Sequence, residues 1–386
     1  MDILLGGHKW ARRSYGFDEV SVACGSTTTD PDDTDTSFSL GPFDFRIPIL
    51  ASAMDGAVSP SVCQLMGRLG GLAVLNLEGL FTRHADYQAQ LDRVIGASQD
   101  EVVPLLQSLY REPVKPDLAA ERVREIKADG TVSAASVTPA AFATAGKAVL
   151  EAGLDILVIQ STVTSAHHLS QKGSAVGIAD ICRNSGVPVV VGNVVTYEGA
   201  YALMEAGAAA ILVGIGPGAA CTTRRVCGVG VPQVTAVADA AAARDDFYSL
   251  TGRRVAVIAD GGMRTGGDVV KAIAAGSDAV MIGSPIAACA EAPGRGWHWG
   301  MATAHQGLPR GTRIRVGELG PLEQILYGPA KSDDGTMNFI GALKVAMGYC
   351  GKRTIREMQT ADLVVAPAIP TEGKAQQRAQ KVGQGS

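Results

Sequence analysis

Positive charge is not in excess in this chain: 34 lysines and arginines stand against 38 aspartates and glutamates, a net of −4 with a pI near 5.9. That balance excludes a broad electrostatic footprint for nucleic acid or an anionic membrane, so any phosphate must be held by a local site. Long apolar runs are missing as well. The start, MDILLGGHKWARR, has no apolar stretch behind its positive residues, and the low-charge run from Met204 to Cys221 is broken by glycine and proline. A globular, unexported chain is expected. Its seven cysteines are odd in number and form no CxxC pair. This speaks against a disulfide framework and a structural zinc site, and for a reducing, cytoplasmic compartment.

What the chain does have is 46% hydrophobic residues, ample for a large core. Short β-rich apolar runs recur: IPILASAM from Ile47, LAVLNL from Leu72, VSAASV from Val132, DILVIQS from Asp155, PVVVGNV from Pro188, AAILVGIG from Ala209, RVAVIADGG from Arg254 and AVMIGS from Ala279. Runs that are apolar throughout suit parallel strands covered on both faces. The stretches between them, such as SPSVCQLMGRLGG and GGDVVKAIAAGS, have helical spacing and end in glycine, the usual residue just past a helix. Eight strand–helix units over ~250 residues predict an α/β fold, a single (β/α)₈ TIM barrel. The barrel is expected to span residues 1–369, with 370–386 a polar, disordered tail. Phe81 to Gly130 is expected to hold two helices, and Pro285 to Asn338 to form long flap-like loops after the eighth strand.

Barrel active sites sit where strands end. The seventh and eighth runs end in Ala259-Asp260-Gly261-Gly262 and Ile282-Gly283-Ser284, turns whose glycines let backbone N–H groups face a phosphate, although ordinary turn glycines would read the same way. Asp260 repels a phosphate but can accept hydrogen bonds from ribose hydroxyls, and the pair suggests a nucleotide. The sixth run leads into GIGPGAACTTRRVCGVGVPQ, which presents Cys221 with Thr222, Thr223, Arg224 and Arg225 beside it. Cations lower a thiol's pKa and make it a nucleophile. Cys63, Cys182, Cys289 and Cys350 lie in helical or apolar contexts and are expected to be inert, and Cys227 to pack among its apolar neighbours. His167 and His168 are expected at the surface, and the Trp297–Trp299 pair to anchor a loop.

GIGPGAACTTRRVCGVGVPQ, IADGGMRTGGD and MIGS together resemble the IMP dehydrogenase/GMP reductase family. The likeness extends over YGFDEVSV near the N-terminus, ASAMD, GNVVT and the C-terminal MGYCGKRTIREM. The resemblance implies that Cys221 forms a covalent thioimidate at purine C2, assisted by Thr223 and Glu291. It implies substrate contacts from Ser52 and Asn193, Asp260 on the ribose, and Gly262, Gly283 and Ser284 on the phosphate. It further implies a nicotinamide cofactor, NADPH or NADH, near Gln160 and Ser161. Backbone carbonyls of Gly216, Gly218 and Cys221 would bind K⁺, and the subunits would form a homotetramer or octamer.

Departures from the family pattern narrow the choice. Ala219 stands where a phosphate-binding serine is usual, and Gln160 where an aspartate usually holds the nicotinamide ribose. The roughly 50 residues from Phe81 to Gly130 are too few for the paired CBS domains of most dehydrogenases. The chain therefore resembles the CBS-less "IMP dehydrogenase family protein" branch found in bacteria. Dehydrogenases hydrolyse the thioimidate with an Arg-Tyr pair on a flap. Between Pro285 and Ile340 this chain has one tyrosine, Tyr327, preceded by Leu326. GMP reductase is thus the expected activity. IMP dehydrogenase, with a base such as Arg310 or Arg313, and a non-catalytic nucleotide-binding regulator are the alternatives.

Overall fold

The eight apolar runs have no room for alternating polar residues, so each must be covered on both faces, and only a closed sheet wrapped in helices gives all of them that environment. The computed structural model of the chain, which describes residues 2–169, 177–300, 313–366, 377 and 379–380, has this architecture. Its parallel strands are β1 (Ile49–Ala51), β2 (Leu72–Asn76), β3 (Ala134–Val137), β4 (Ile156–Gln160), β5 (Val189–Val194), β6 (Ala210–Val213), β7 (Ala256–Asp260) and β8 (Ala279–Ile282). They pair in sequence order and β8 closes on β1, matching Val280 to Ile49 and Ile282 to Ala51. Every strand lies inside one of the eight runs.

The principal helices are α1 (Pro60–Arg68), α2 (Tyr87–Gly96), α3 (Val102–Leu109), α4 (Pro116–Lys127), α5 (Lys147–Glu151), α6 (Ile178–Asn184), α7 (Tyr197–Glu205), α8 (Gln233–Thr251), α9 (Gly266–Ala274) and α10 (Phe339–Tyr349), with shorter helical turns between them. Their starts are coded locally. Ser59 accepts from Val62 N–H with Pro60 at the first helical position, and Thr265 and Asp268 form a reciprocal capping box on α9. No helix among the described residues is long and apolar enough to cross a membrane.

Strand periodicity divides the core in two. Leu50, Val74, Ile156, Val158, Val190, Leu212, Ile258 and Met281 point into the barrel, while their neighbours pack outward against the helices. The lumen cluster also includes Phe38, Leu40 and Phe45, from an antiparallel hairpin (Phe38–Leu40 with Phe43–Phe45) whose two phenyl rings stack at 5.1 Å. Its turn residue Gly41 abuts Pro188, which precedes β5, so the hairpin plugs the N-terminal mouth. At that same end Asp278 accepts from Arg244 (3.0 Å), Arg254 (2.6 Å) and the Val257 N–H (2.8 Å). Burial alone would raise its pKa, but the two guanidiniums outweigh this and hold the carboxyl below its ordinary value.

Two expectations need correction. Between Phe81 and Gly130 the chain forms α2, α3 and α4, preceded by a single helical turn at Leu80–Arg83, rather than two helices, and no CBS pair is present among the described residues. Helices were undercounted because the loops between them, such as Ala97–Glu101, are short and carry no glycine beyond Gly96. The segment after β8 is also more ordered than a loop: Trp297–Trp299 pairs antiparallel with Arg313–Arg315, and Leu322–Tyr327 is helical. The expected tail falls almost wholly outside the described residues.

This hairpin is fastened through a buried chain of hydrogen bonds. Trp299 Nε1 donates to the Tyr110 hydroxyl (2.9 Å), which donates to Asp55 (2.6 Å), and Asp55 also accepts the Leu80 N–H (2.6 Å). Tyr110→Phe removes a group that both accepts and donates away from water, so it should cost about 1–3 kcal/mol of unfolding free energy. Urea denaturation checks this, and an unchanged midpoint would show that the chain does not bear on stability.

Candidate active site

All eight strands release their ends into one cavity of about 650 Å³ at the C-terminal face, within the range of small-molecule sites. It is lined by Ser52, Asn76, Ser136, Gln160, Asn193, the β6 loop from Gly214 to Cys227, Asp260 with its glycine turn, Gly283, Ser284 and His298. Close backbone approach demands several of the glycines. Gly262 has φ +84°, and a Cβ there would sit 2.9 Å from Pro217 Cβ. The β7 turn is thereby pressed against the β6 loop, a conformation closed to residues with side chains.

Cys221 is exposed at the loop's crest, its Sγ 3.2 Å from Thr223 Oγ1, and its N–H donates to the Gly218 carbonyl (3.0 Å). Arg224 lies within electrostatic range of Cys221, but its hydrogen bonds go elsewhere. Its Nε donates to the Ile215 carbonyl (3.1 Å) and an Nη to the Val231 carbonyl (2.7 Å), tying the two legs of the loop together. Gly216, Gly218 and Cys221, expected to offer carbonyls to K⁺, share this loop, with Arg224 packed against Gly216.

Asp260, at the end of β7, accepts at a single oxygen, Oδ2, from Asn193 Nδ2 (2.7 Å) and Gln160 Nε2 (2.9 Å), which leaves Oδ1 for a ligand among the described residues. Burial pushes its pKa up to about 6, against the opposing pull of these two donors. Asn193 Nδ2 also reaches the Gly214 carbonyl (2.8 Å), and Gln160 Nε2 reaches Asn193 Oδ1 (3.1 Å). Gln160, expected near the cofactor, thus donates to both Asp260 and Asn193. Ser161 Oγ is held by the Val163 carbonyl and Thr164.

Glu291, expected beside the thiol, is exposed and outside the cavity lining. Its Oε2 accepts the Leu322 N–H (2.9 Å), an amide at the start of a helix with no intrahelical partner. Cys227 was expected to pack, yet it is exposed and lines the cavity. The short helix that carries it, Thr223–Val226, buries none of its residues, and the apolar neighbours Val226 and Val229 are themselves exposed. Cys63 and Cys289 are buried, and burial raises their thiol pKa, to about 12 for Cys289. Half-buried Cys182 is raised to about 11. His167 and His168 are exposed.

Several lining residues escaped the sequence, Ser136 and Thr138 at the end of β3 among them. Asn76 and Glu78 leave β2, where the rule that strand ends carry function would have found them. His298 comes from the hairpin after β8, and nothing in its local sequence marks it.

Two measurements probe this site. Under native conditions a small thiol reagent should modify Cys221, Cys227 and Cys24, while Cys63 and Cys289 should react only after unfolding. Fast modification of Cys63 would contradict the packing. Asp260 has a folded pKa above its ordinary 3.8, so its own contribution to stability falls as pH rises from about 4 to 6 and is level above. Asp260→Asn removes that loss, and its stability advantage should grow by about 1–2 kcal/mol between pH 4.5 and 8, since part of the carboxyl faces cavity water. Urea midpoints at the two pH values test this, and a constant difference would count against a desolvated carboxyl.

With this geometry in hand, relatives are informative. The profile of the IMP dehydrogenase / GMP reductase domain matches residues 14–304. A Mycolicibacterium smegmatis protein described only as an uncharacterized oxidoreductase is 40% identical over 370 residues, covering 94% of this chain and 99% of the relative. The inosine-5'-monophosphate dehydrogenase of Methanocaldococcus jannaschii is 28% identical over 474 residues, covering 90% of this chain and 92% of its own. The crystal structure of an IMP dehydrogenase/GMP reductase-like protein from Corynebacterium glutamicum superposes with a TM-score of 0.89 at 37% identity, covering 94% of this chain and 97% of that one. A thiol on a glycine-rich strand exit, a carboxylate acceptor across the cavity and these matches lead to one conclusion: the chain belongs to the IMP dehydrogenase/GMP reductase family of oxidoreductases.

Proposed function

We propose that the protein is a GMP reductase. The observation that carries this reading is that, among the described residues, neither Tyr327 nor Arg313 lines the cavity as a base for water. Tyr327, the one tyrosine between Pro285 and Ile340, donates its hydroxyl to the Leu69 carbonyl at the end of α1, away from the cavity. Arg313 is engaged too. Its guanidinium donates to the carbonyls of Val94, Ile95 and Ala97 at the C-terminus of α2 and lies 4.3 Å over the Trp297 ring. Arg310 falls outside the described residues. General-base assistance is typically worth ~10²–10⁴-fold, so a thioimidate here would be poorly hydrolysed.

Reduction asks for less. The Cys221 sulfur adds to C2 of GMP, and the exocyclic amine takes a proton and leaves as ammonia. Thr223, 3.2 Å from the sulfur, can relay that proton, and Glu291, whose Oε2 accepts the Leu322 N–H, would have to leave that amide to assist. A nicotinamide cofactor, NADPH or NADH, bound on the Ser161 side of the cavity would supply the hydride to C2. The C–S bond then breaks to give IMP and the free thiolate. Asp260 Oδ1 takes the ribose hydroxyls. Ser52, Gly262, Gly283 and Ser284 surround the phosphate, and the Gly216, Gly218 and Cys221 carbonyls would offer K⁺ hard oxygen ligands. Exposed Ile3, Leu4, Leu5 and Trp10 in the N-terminal hairpin support self-association into a homotetramer or octamer.

Purified protein given GMP should oxidise NADPH or NADH and release IMP and ammonia, and Cys221→Ala should abolish turnover while GMP still binds. Formation of XMP from IMP and NAD without GMP-dependent oxidation would reverse the direction. Full activity in Cys221→Ala would remove the covalent step.

A further inference from the structure

We infer that His298 is a positioning residue for phosphate recognition: its imidazole donates to Ser284 Oγ and so frees the serine hydroxyl hydrogen for the nucleotide phosphate. The inference rests on reading the cavity as a purine nucleotide site, and it adds to that reading a residue outside the glycine turns.

Geometry comes first. His298 Nε2 lies 2.9 Å from Ser284 Oγ, both residues line the cavity, and His298 is 2% exposed. The distance alone does not say which atom donates. Burial pushes the imidazole pKa down to about 4, so near neutral pH the ring carries one N–H and one lone pair. Nδ1 is buried without a hydrogen-bond partner among the described residues. A proton on Nδ1 would strand a buried donor, and it would make Nε2 take the one hydrogen Ser284 has to offer. With the proton on Nε2, the orphan is a lone pair, which proteins tolerate better than a stranded N–H. Ser284 then accepts from the ring and its O–H is free to turn toward an anion. The ring stays uncharged, so it acts through orientation rather than attraction.

The position is also built to be rigid. Strand alternation sends Trp299 away from His298 and into the core, where Nε1 meets Tyr110. On the β1 side the hairpin lies so close to Gly56 that a Cβ there would sit 2.5 Å from the Trp297 carbonyl oxygen and 2.8 Å from His298 Cα. Across the hairpin, Trp297 is covered by the Arg313 guanidinium. A side chain held on three sides makes little use of that order unless its donor must point one way.

The test compares GMP and IMP with guanosine and inosine, which lack the phosphate, by calorimetry. His298→Phe keeps a ring but removes the donor, and should weaken nucleotide binding about 10-fold while nucleoside binding stays within about twofold. His298→Gln restores an N–H and should recover most of the loss. In a Ser284→Ala background His298→Phe should add nothing, because the two act as one unit. Equal losses for nucleotide and nucleoside, or additive effects of the two substitutions, would overturn the inference. If His298→Phe does not fold, Ser284→Ala carries the same comparison, and an unchanged preference for nucleotide over nucleoside would overturn it alone. Wild-type protein that binds neither purine nucleotide would instead remove the functional reading and this inference with it.

Discussion

A carboxylate held partly out of water at the end of β7 organises the rest of the site. Ionised and desolvated, Asp260 needs donors, and it finds them in Asn193 on β5 and Gln160 on β4, neighbours across the closed sheet. Those donors are themselves fixed, Asn193 by the Gly214 carbonyl and Gln160 by Asn193. Because Gly214 opens the thiol loop, one hydrogen-bonded chain runs from Asp260 to the segment that presents Cys221. The barrel supplies what this chain requires: strand ends whose spacing is set by the lumen packing beneath them, with the Phe38–Phe45 plug and the Asp278 ion pairs closing the opposite mouth. Stability is concentrated at one face and reactivity at the other.

Much of the fold was legible because its signals are local and repeated. Each β-run reads as a buried parallel strand on its own terms, and Ser59, Thr265 and Gly252 mark helix ends within a few residues of where they lie. Asp260, Cys221 and Ser284 were legible for the same reason, since a residue leaving a barrel strand has one place to go. The number of helices between β2 and β3 was not, because short glycine-poor connections leave little punctuation in a helical pattern.

What escaped the sequence shares one property: it depends on contacts between distant segments. Glu291 sits in a stretch that reads as catalytic, yet a free helix-start amide at Leu322 captures its carboxylate. Cys227 has apolar neighbours, but the turn that carries it is too short to bury them. Gln160 occupies a cofactor position by resemblance, and its hydrogen bond to Asp260 was not visible in the sequence. Each outcome follows from hydrogen-bond satisfaction or loop length, and neither is written in a residue's immediate surroundings.

The helical insert between β2 and β3 has a consequence for how such a chain can change over evolutionary time. Its surface turn at Ser98–Asp100 is exposed, whereas the carbonyls just before it cap onto Arg313 and Tyr110 beyond it reaches Asp55 and Trp299. Extra sequence can therefore enter at that turn without disturbing the barrel, while deletion of the whole insert would unmoor the hairpin that brings His298 to the cavity. A lineage of such proteins is free to gain modules at this point and constrained in what it can shed.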